Sequence, residues 1–111
     1  MGSGYYEKAL SRLPEIIATH YILVVTDDPE FARQVLPGWL RVDEVFSTTP
    51  EIDFQIVMSA KVAVIPNSTF HFWACWLGQV PRVLAPTYFV GTPDNKWIPA
   101  SLPEHIAWEW V

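Results

Sequence analysis

The chain has 111 residues, about the length of one domain; half of them are hydrophobic and 17% are charged, which excludes a disordered chain or a solvated linker. Its net charge of -5 argues against a surface for nucleic acid or for an anionic membrane. No apolar run reaches the roughly 18 residues of a membrane-spanning helix, so we expect no membrane span. The single cysteine, Cys75, excludes an internal disulfide and a multi-cysteine metal site, and it favours a cytoplasmic location.

Short helices and strands alternate along the chain, because ten prolines set sharp limits on each element. The strongest start signal is Asp28-Pro29-Glu30, where an N-cap residue precedes a proline at the first helical position and an acid in the first turn. The run 21–26 is apolar on both faces, which predicts a buried strand. The predicted order is helix 5–13, strand 21–26, helix 29–36, strand 42–46, helix 50–60, strand 62–65, helix 67–77 and strand 83–85.

The spacing of these elements predicts the fold class. Three strand-to-helix turns begin near Asp27, Ser47 and Asn67, about twenty residues apart. Such alternation gives right-handed crossovers between parallel strands. We therefore predict one α/β domain over residues 1–111, with a doubly wound parallel sheet. The aromatic and proline-rich tail, residues 86–111, is predicted to be an irregular segment with a short final strand.

The predicted helix 67–77 is strongly apolar. Because its large side chains cover most of the circumference, we expect a central buried helix that ends at Gly78 as its C-cap. Cys75 and His71 are expected to be inert core side chains on this helix. The large apolar side chains are Phe70, Phe72, Trp73, Trp76 and Leu77.

Candidate site residues lie in the three turns, since ligands of doubly wound sheets bind beyond the carboxyl ends of the strands. The segment 67–70 offers hydroxyls and helix-start N–H groups to a phosphate, but the same residues suit a plain N-cap. Asp27 and Asp28 suit a metal or a ribose, and capping explains at least one of them. Asp53, taken alone, suits the helix dipole. Local sequence leaves these alternatives open.

The whole pattern resembles the C-terminal, donor-nucleotide half of the α-1,2-fucosyltransferases, glycosyltransferase family 11. The resemblance rests on YYEKA at 5–9, on TDDPE at 26–30, and on an Asp at 53 followed by Met-Ser at 58–59. It continues through NSTFHFWACWL at 67–77, Pro86 with the aromatic pair at 88–89, and Trp-Ile at 97–98. It therefore covers nearly the whole chain.

The resemblance implies a Rossmann-like half of a GT-B-type glycosyltransferase that binds GDP-fucose without a metal or other cofactor. Asp53 would accept hydrogen bonds from the guanine, Ser68 and its neighbours would hold the diphosphate, and Asp27 would lie near the donor pocket. The full set of implied donor-binding residues is Asp27, Asp53, Asn67, Ser68, Thr69 and Phe70.

Several features depart from the family pattern. His71 and Phe72 replace the usual Ser and first Trp of the motif, and Ala60 stands where a Cys is common. A His-x-Arg-Arg-x-Asp-Tyr-like motif, which in the family supplies basic groups to the leaving diphosphate, does not occur in the sequence. We therefore expect a domain without the N-terminal acceptor half and inactive alone, with a separate acceptor-lobe chain as one candidate partner.

Two other interpretations belong to different functional classes. In the first, the chain is a stand-alone, non-catalytic module whose former cleft face serves as an interface for oligomerisation or partner binding. The high aromatic content separately predicts a homodimer, whose contact is expected first in the tail, at Trp97, Trp108 and Trp110. In the second, it is a phosphoacceptor receiver domain, which would need an Asp at the end of its third strand. Because the chain has Pro66-Asn67 there, the receiver domain is disfavoured.

Overall fold

The computed structural model describes residues 3–66, 68–86 and 107–111. The chain divides into two compact units, Met1–Asp53 and Phe54–Val111, with the boundary inside one helix. The elements of the first unit are α1 (Ser3–Leu10), α2 (Pro14–Thr19), β1 (Leu23–Val25), α3 (Pro29–Val35), β2 (Glu44–Phe46) and the first turn of α4 (Pro50–Met58). The second unit holds the rest of α4 and then β3 (Val62–Val64), α5 (Thr69–Gly78), β4 (Arg82–Ala85) and β5 (Ala107–Trp110).

All strand pairs in the described residues are parallel, which confirms the α/β class. β1 pairs with β2 in a two-stranded sheet, and β4 lies between β3 and β5 in a three-stranded sheet. Arg82 of β4 binds Glu109 of β5 through an ion pair of 2.8 Å. The structure is compatible with a Rossmann-like fold, while a single doubly wound sheet stays a prediction.

The start of α3 confirms the clearest prediction from the sequence. Asp28 is the N-cap, and its Oδ1 accepts a hydrogen bond of 3.0 Å from the backbone N–H of Phe31. Pro29 occupies the first helical position, where a missing N–H costs no hydrogen bond. The helix ends at Val35, one residue before the predicted Leu36.

Helix α2 was not predicted, and α1 ends at Leu10, three residues early. Leu13 has φ −123° and ψ 41°, because the residue before a proline is pushed out of the helical region. Pro14 then starts a helix of six residues, too short to show helical periodicity in the sequence.

The prediction that the run 21–26 is buried on both faces is wrong. Tyr21 is 66% exposed and Leu23 is 41% exposed. An apolar run shows that a strand is compatible with burial, but it does not show how many elements cover it. In the first unit, the buried apolar side chains that the structure describes come from α1 and the residue that precedes α2: Ala9, Leu10 and Leu13.

Helix α5 is buried on one side only, so the expectation of a fully buried helix is also wrong. Phe72 is 1% exposed and Cys75 is fully buried, whereas Trp73 is 49% and Leu77 is 59% exposed. Trp73 and Leu77 are four residues apart and share one face of the helix. The second unit therefore presents an apolar stripe on α5. No helix in the described ranges is long and apolar enough to cross a membrane.

The end of α5 differs from the prediction in an informative way. Gly78 is the last helical residue, and the left-handed residue that follows is Gln79, with φ 53°. The N–H of Val80 donates to the carbonyl of Cys75 at 3.1 Å, which closes the helix end. Glycine is required at 78 for a different reason, since an added Cβ would lie 2.6 Å from Met58 Cα.

Candidate functional site

The start of α3 already holds its own negative charges. Asp28 caps the helix with its carboxylate, and Glu30 lies in the first turn. Asp27, the residue predicted near the donor pocket, is exposed and makes no hydrogen bond within the described residues. A bound anion at this helix start would meet the carboxylates of Asp28 and Glu30, so the turn is a poor phosphate site.

Asp53 is placed by the first turn of α4 and is 8% exposed. Its Oδ1 accepts hydrogen bonds from the Thr48 hydroxyl at 2.6 Å and from the Thr48 backbone N–H at 3.3 Å. Its backbone N–H donates to the carbonyl of Thr49 at 2.9 Å, and Thr49 Oγ1 accepts from the N–H of Ile52 at 3.4 Å. The carboxylate is therefore buried and hydrogen-bonded, with Oδ2 receiving no donor from any described residue.

The start of α5 is arranged differently from the other two. Ser68 is the N-cap by its backbone, with φ −151° and ψ 126°, yet its hydroxyl makes no capping hydrogen bond. The first intrahelical bond runs from the Phe72 N–H to the Ser68 carbonyl at 3.1 Å. The N–H groups of Thr69 and Phe70 lie before the first donor of the helix and therefore have no acceptor within it. No acidic residue lies in the first turn. This helix start has the donors and the polarity that an anion requires.

An edge-to-face aromatic contact supports the start of α5. The Phe70 ring lies 5.2 Å from the ring of Phe54, the residue after Asp53 in α4. It also lies 5.1 Å from the His71 ring. These contacts orient the first turn of α5 within the second unit.

The remaining candidates do not form a reactive centre. Burial raises the pKa of the Cys75 thiol to about 12, so at neutral pH it stays protonated and is a poor nucleophile. The described residues hold no group of three or more His, Cys, Asp or Glu side chains that could bind a metal ion. Asn67 lies outside the described residues.

Asp27 and Asp53 belong to the first unit, whereas Ser68, Thr69 and Phe70 belong to the second. Sequence reasoning did not single out Thr48, although it holds the Asp53 carboxylate. A threonine five residues before an acidic residue is not a sequence signal for a hydrogen bond between the two side chains, because each of them has several other possible partners.

Comparisons with known proteins identify relatives of this chain. A family model described as "Glycosyl transferase family 11" matches residues 2–89. The chain is also 29% identical over 98 residues to the O-antigen biosynthesis glycosyltransferase WbnK of Escherichia coli. That match covers 83% of this chain and 32% of WbnK, so the chain spans about a third of that relative's length. No solved structure matches the chain.

Proposed function

The chain belongs to glycosyl transferase family 11, and from that membership we propose that this fucosyltransferase-like protein is a donor-binding domain for GDP-fucose. The observation that carries the proposal is the start of α5. It has no carboxylate in its first turn, and the Ser68 hydroxyl makes no capping hydrogen bond to the helix. A diphosphate is the part of the donor that such a helix start would attract.

The proposal assigns a separate task to each part of the donor. Ser68 and Thr69 donate hydroxyl and backbone hydrogen bonds to the diphosphate, and Phe70 adds a backbone N–H. Asp53 accepts hydrogen bonds from the adjacent N–H groups of guanine, for which a carboxylate is the natural acceptor. We also propose that Asp27 lies near the donor. Asn67 is proposed as a donor-binding residue because it belongs to the same motif as Ser68. No metal is needed in this arrangement, because the helix start supplies the positive end of a dipole.

We further propose that the chain as given transfers no fucose alone. It spans about a third of WbnK, and its sequence lacks the basic motif that would stabilise charge on the leaving diphosphate. An acceptor-lobe chain would have to supply those groups. From the printed name of WbnK, an O-antigen biosynthesis glycosyltransferase, we propose an O-antigen glycan as the acceptor class.

The test of donor binding is Asp53→Ala, measured by calorimetry with GDP and with ADP. We expect a preference for GDP in the unchanged protein and a loss of roughly ten- to a hundredfold in GDP affinity in the variant, since a charged acceptor is worth about 1.5–3 kcal/mol. ADP affinity should hardly change. Glu51→Ala is the matched control, because Glu51 is an exposed acid in the same helical turn. Equal, weak responses of the unchanged protein to GDP and ADP would contradict the proposal.

The exposed aromatic side chains favour a second candidate function, a partner-binding module. Trp39 is 53% exposed, and the stripe of Trp73 and Leu77 on α5 is half exposed. Trp108 packs against Phe72 with ring centroids 5.2 Å apart, and Trp97 lies outside the described residues. Large apolar side chains left in water favour association, and a two-fold dimer is the commonest closed form.

Light scattering at several concentrations tests the dimer. We expect a mass of about twice the 12.7 kDa of one chain, approached as the concentration rises. Leu77→Glu should shift the mass back towards one chain, since it places a charge in the α5 stripe. A mass that stays near that of a single chain at every concentration would rule out the dimer.

A further inference from the structure

Among the residues that the structure describes, the Asp53 carboxylate receives hydrogen bonds on one oxygen only. The Thr48 hydroxyl and the Thr48 backbone N–H both donate to the same oxygen, Oδ1. The hydroxyl contact of 2.6 Å has the short length of a hydrogen bond to a charged acceptor. Oδ2 has no donor among the described residues, although the side chain as a whole is 8% exposed.

We infer that Thr48 is a positioning residue that turns the Asp53 carboxylate so that Oδ2 is presented to the N–H pair of a guanine base. The inference rests on the proposed donor-binding function. Because Oδ1 already has two donors, a carboxylate that shares its two oxygens between two base N–H groups is disfavoured. A single fixed oxygen must then accept from the N1–H and the 2-amino group together.

Capping of α4 does not explain the contact. Thr49 supplies the cap, because its Oγ1 accepts the N–H of Ile52 and its carbonyl accepts the N–H of Asp53. The Thr48 hydroxyl is therefore not needed to satisfy the first turn, and its partner within the described part of the chain is the Asp53 side chain. Two neighbouring threonines thus have separate tasks, one towards the helix and the other towards the carboxylate.

A fixed carboxylate oxygen favours guanine over adenine. Guanine offers two adjacent N–H donors on its Watson–Crick edge, whereas adenine offers one amino group beside an unprotonated ring nitrogen. A carboxylate oxygen that is held in place is repelled by the lone pair of that nitrogen, so its interaction with adenine is weaker than its interaction with guanine. A carboxylate that is free to rotate would lose part of this discrimination, because ordering it on binding costs free energy.

The experiment compares Thr48→Val, Thr48→Ser and Thr49→Val with the unchanged protein, with GDP and ADP as calorimetric probes and thermal unfolding as the measure of stability. Thr48→Val removes the hydroxyl and keeps the shape, so GDP affinity should fall roughly three- to tenfold with ADP affinity unchanged. Thr48→Ser retains a hydroxyl, so this variant should keep the preference for GDP over ADP that the unchanged protein has. Thr49→Val, the matched control, should lower the melting temperature and leave the ratio of GDP to ADP affinity unchanged.

Each other outcome overturns a defined claim. If the unchanged protein prefers GDP and Thr48→Val keeps the same ratio, the role of Thr48 is wrong and donor binding stands. If Thr48→Val weakens GDP and ADP equally, the contact is structural only and the inference is again wrong. If the unchanged protein has no preference for GDP over ADP, the proposal that Asp53 recognises guanine is wrong, and the proposed role of Thr48 is wrong with it.

Discussion

Replacing Phe72 with alanine is expected to lower the free energy of unfolding by about 3–5 kcal/mol. The side chain is 1% exposed and lies in the middle of the second unit's aromatic cluster. Its ring centroid is 5.3 Å from that of Trp73, 5.8 Å from that of Trp76 and 5.2 Å from that of Trp108. Alanine would remove contacts to α5 and to β5 at once, and large indole rings have little freedom to fill the space.

Urea unfolding followed by circular dichroism measures this loss. Leu77→Ala is the control, because Leu77 lies on the same helix and is 59% exposed. We expect less than about 1 kcal/mol for that variant, since most of the leucine already contacts water. Similar losses in the two variants would show that Phe72 is not the centre of the core.

The elements with local signals are those that the sequence predicts well. Asp28 and Pro29 define the start of α3, because capping and a fixed proline φ act over three or four residues. The strand cores are found for a similar reason, although the structure shortens 21–26 to Leu23–Val25 and 42–46 to Glu44–Phe46. Local chemistry thus predicts the type of these elements and, where a capping residue and a proline mark it, the first residue of a helix.

Burial depends on distant parts of the chain, and here the sequence is less informative. The apolar run of α5 looks the same whether Trp73 faces a neighbouring element or water, and in the structure it is 49% exposed. Strand β5 is another example. It confirms the short final strand predicted for the tail, but its parallel pairing with β4, a strand far earlier in the chain, has no local signal in the sequence.

The candidate site divides in the same way. Ser68 and Thr69 are recognisable because a helix start with two hydroxyls has a local signature, strengthened by the family motif. The setting of Asp53 is not recognisable, since the choice between the helix dipole, Thr48 and a base depends on side-chain geometry. The structure shows that Thr48 holds one of the two carboxylate oxygens, and this leaves a specific atom, Oδ2, for the proposed guanine contact.

Gly78→Ala tests the close approach of α4 and α5 in the second unit, and we expect a loss of about 3 kcal/mol in the free energy of unfolding. Helix propensity alone predicts the opposite, a gain of about 1 kcal/mol from glycine to alanine inside a helix. The steric effect is larger, because the added Cβ would lie 2.6 Å from Met58 Cα and 2.8 Å from its carbonyl carbon. Backbone atoms have no rotamer by which to move away, so the ends of both helices would have to separate.

Gly38→Ala is the matched control for this substitution. A Cβ at Gly38 would meet nothing within 4 Å, so alanine should not destabilise the folded state. Stability should stay unchanged or rise by about 0.4–1 kcal/mol, because alanine lowers the conformational entropy of the unfolded chain. The same urea experiment measures both variants. A stabilised Gly78→Ala protein would mean that propensity outweighs contact and that α4 and α5 lie further apart than described. A large loss at Gly78 with none at Gly38 would show that glycine serves there for space, while Gln79 carries the left-handed turn.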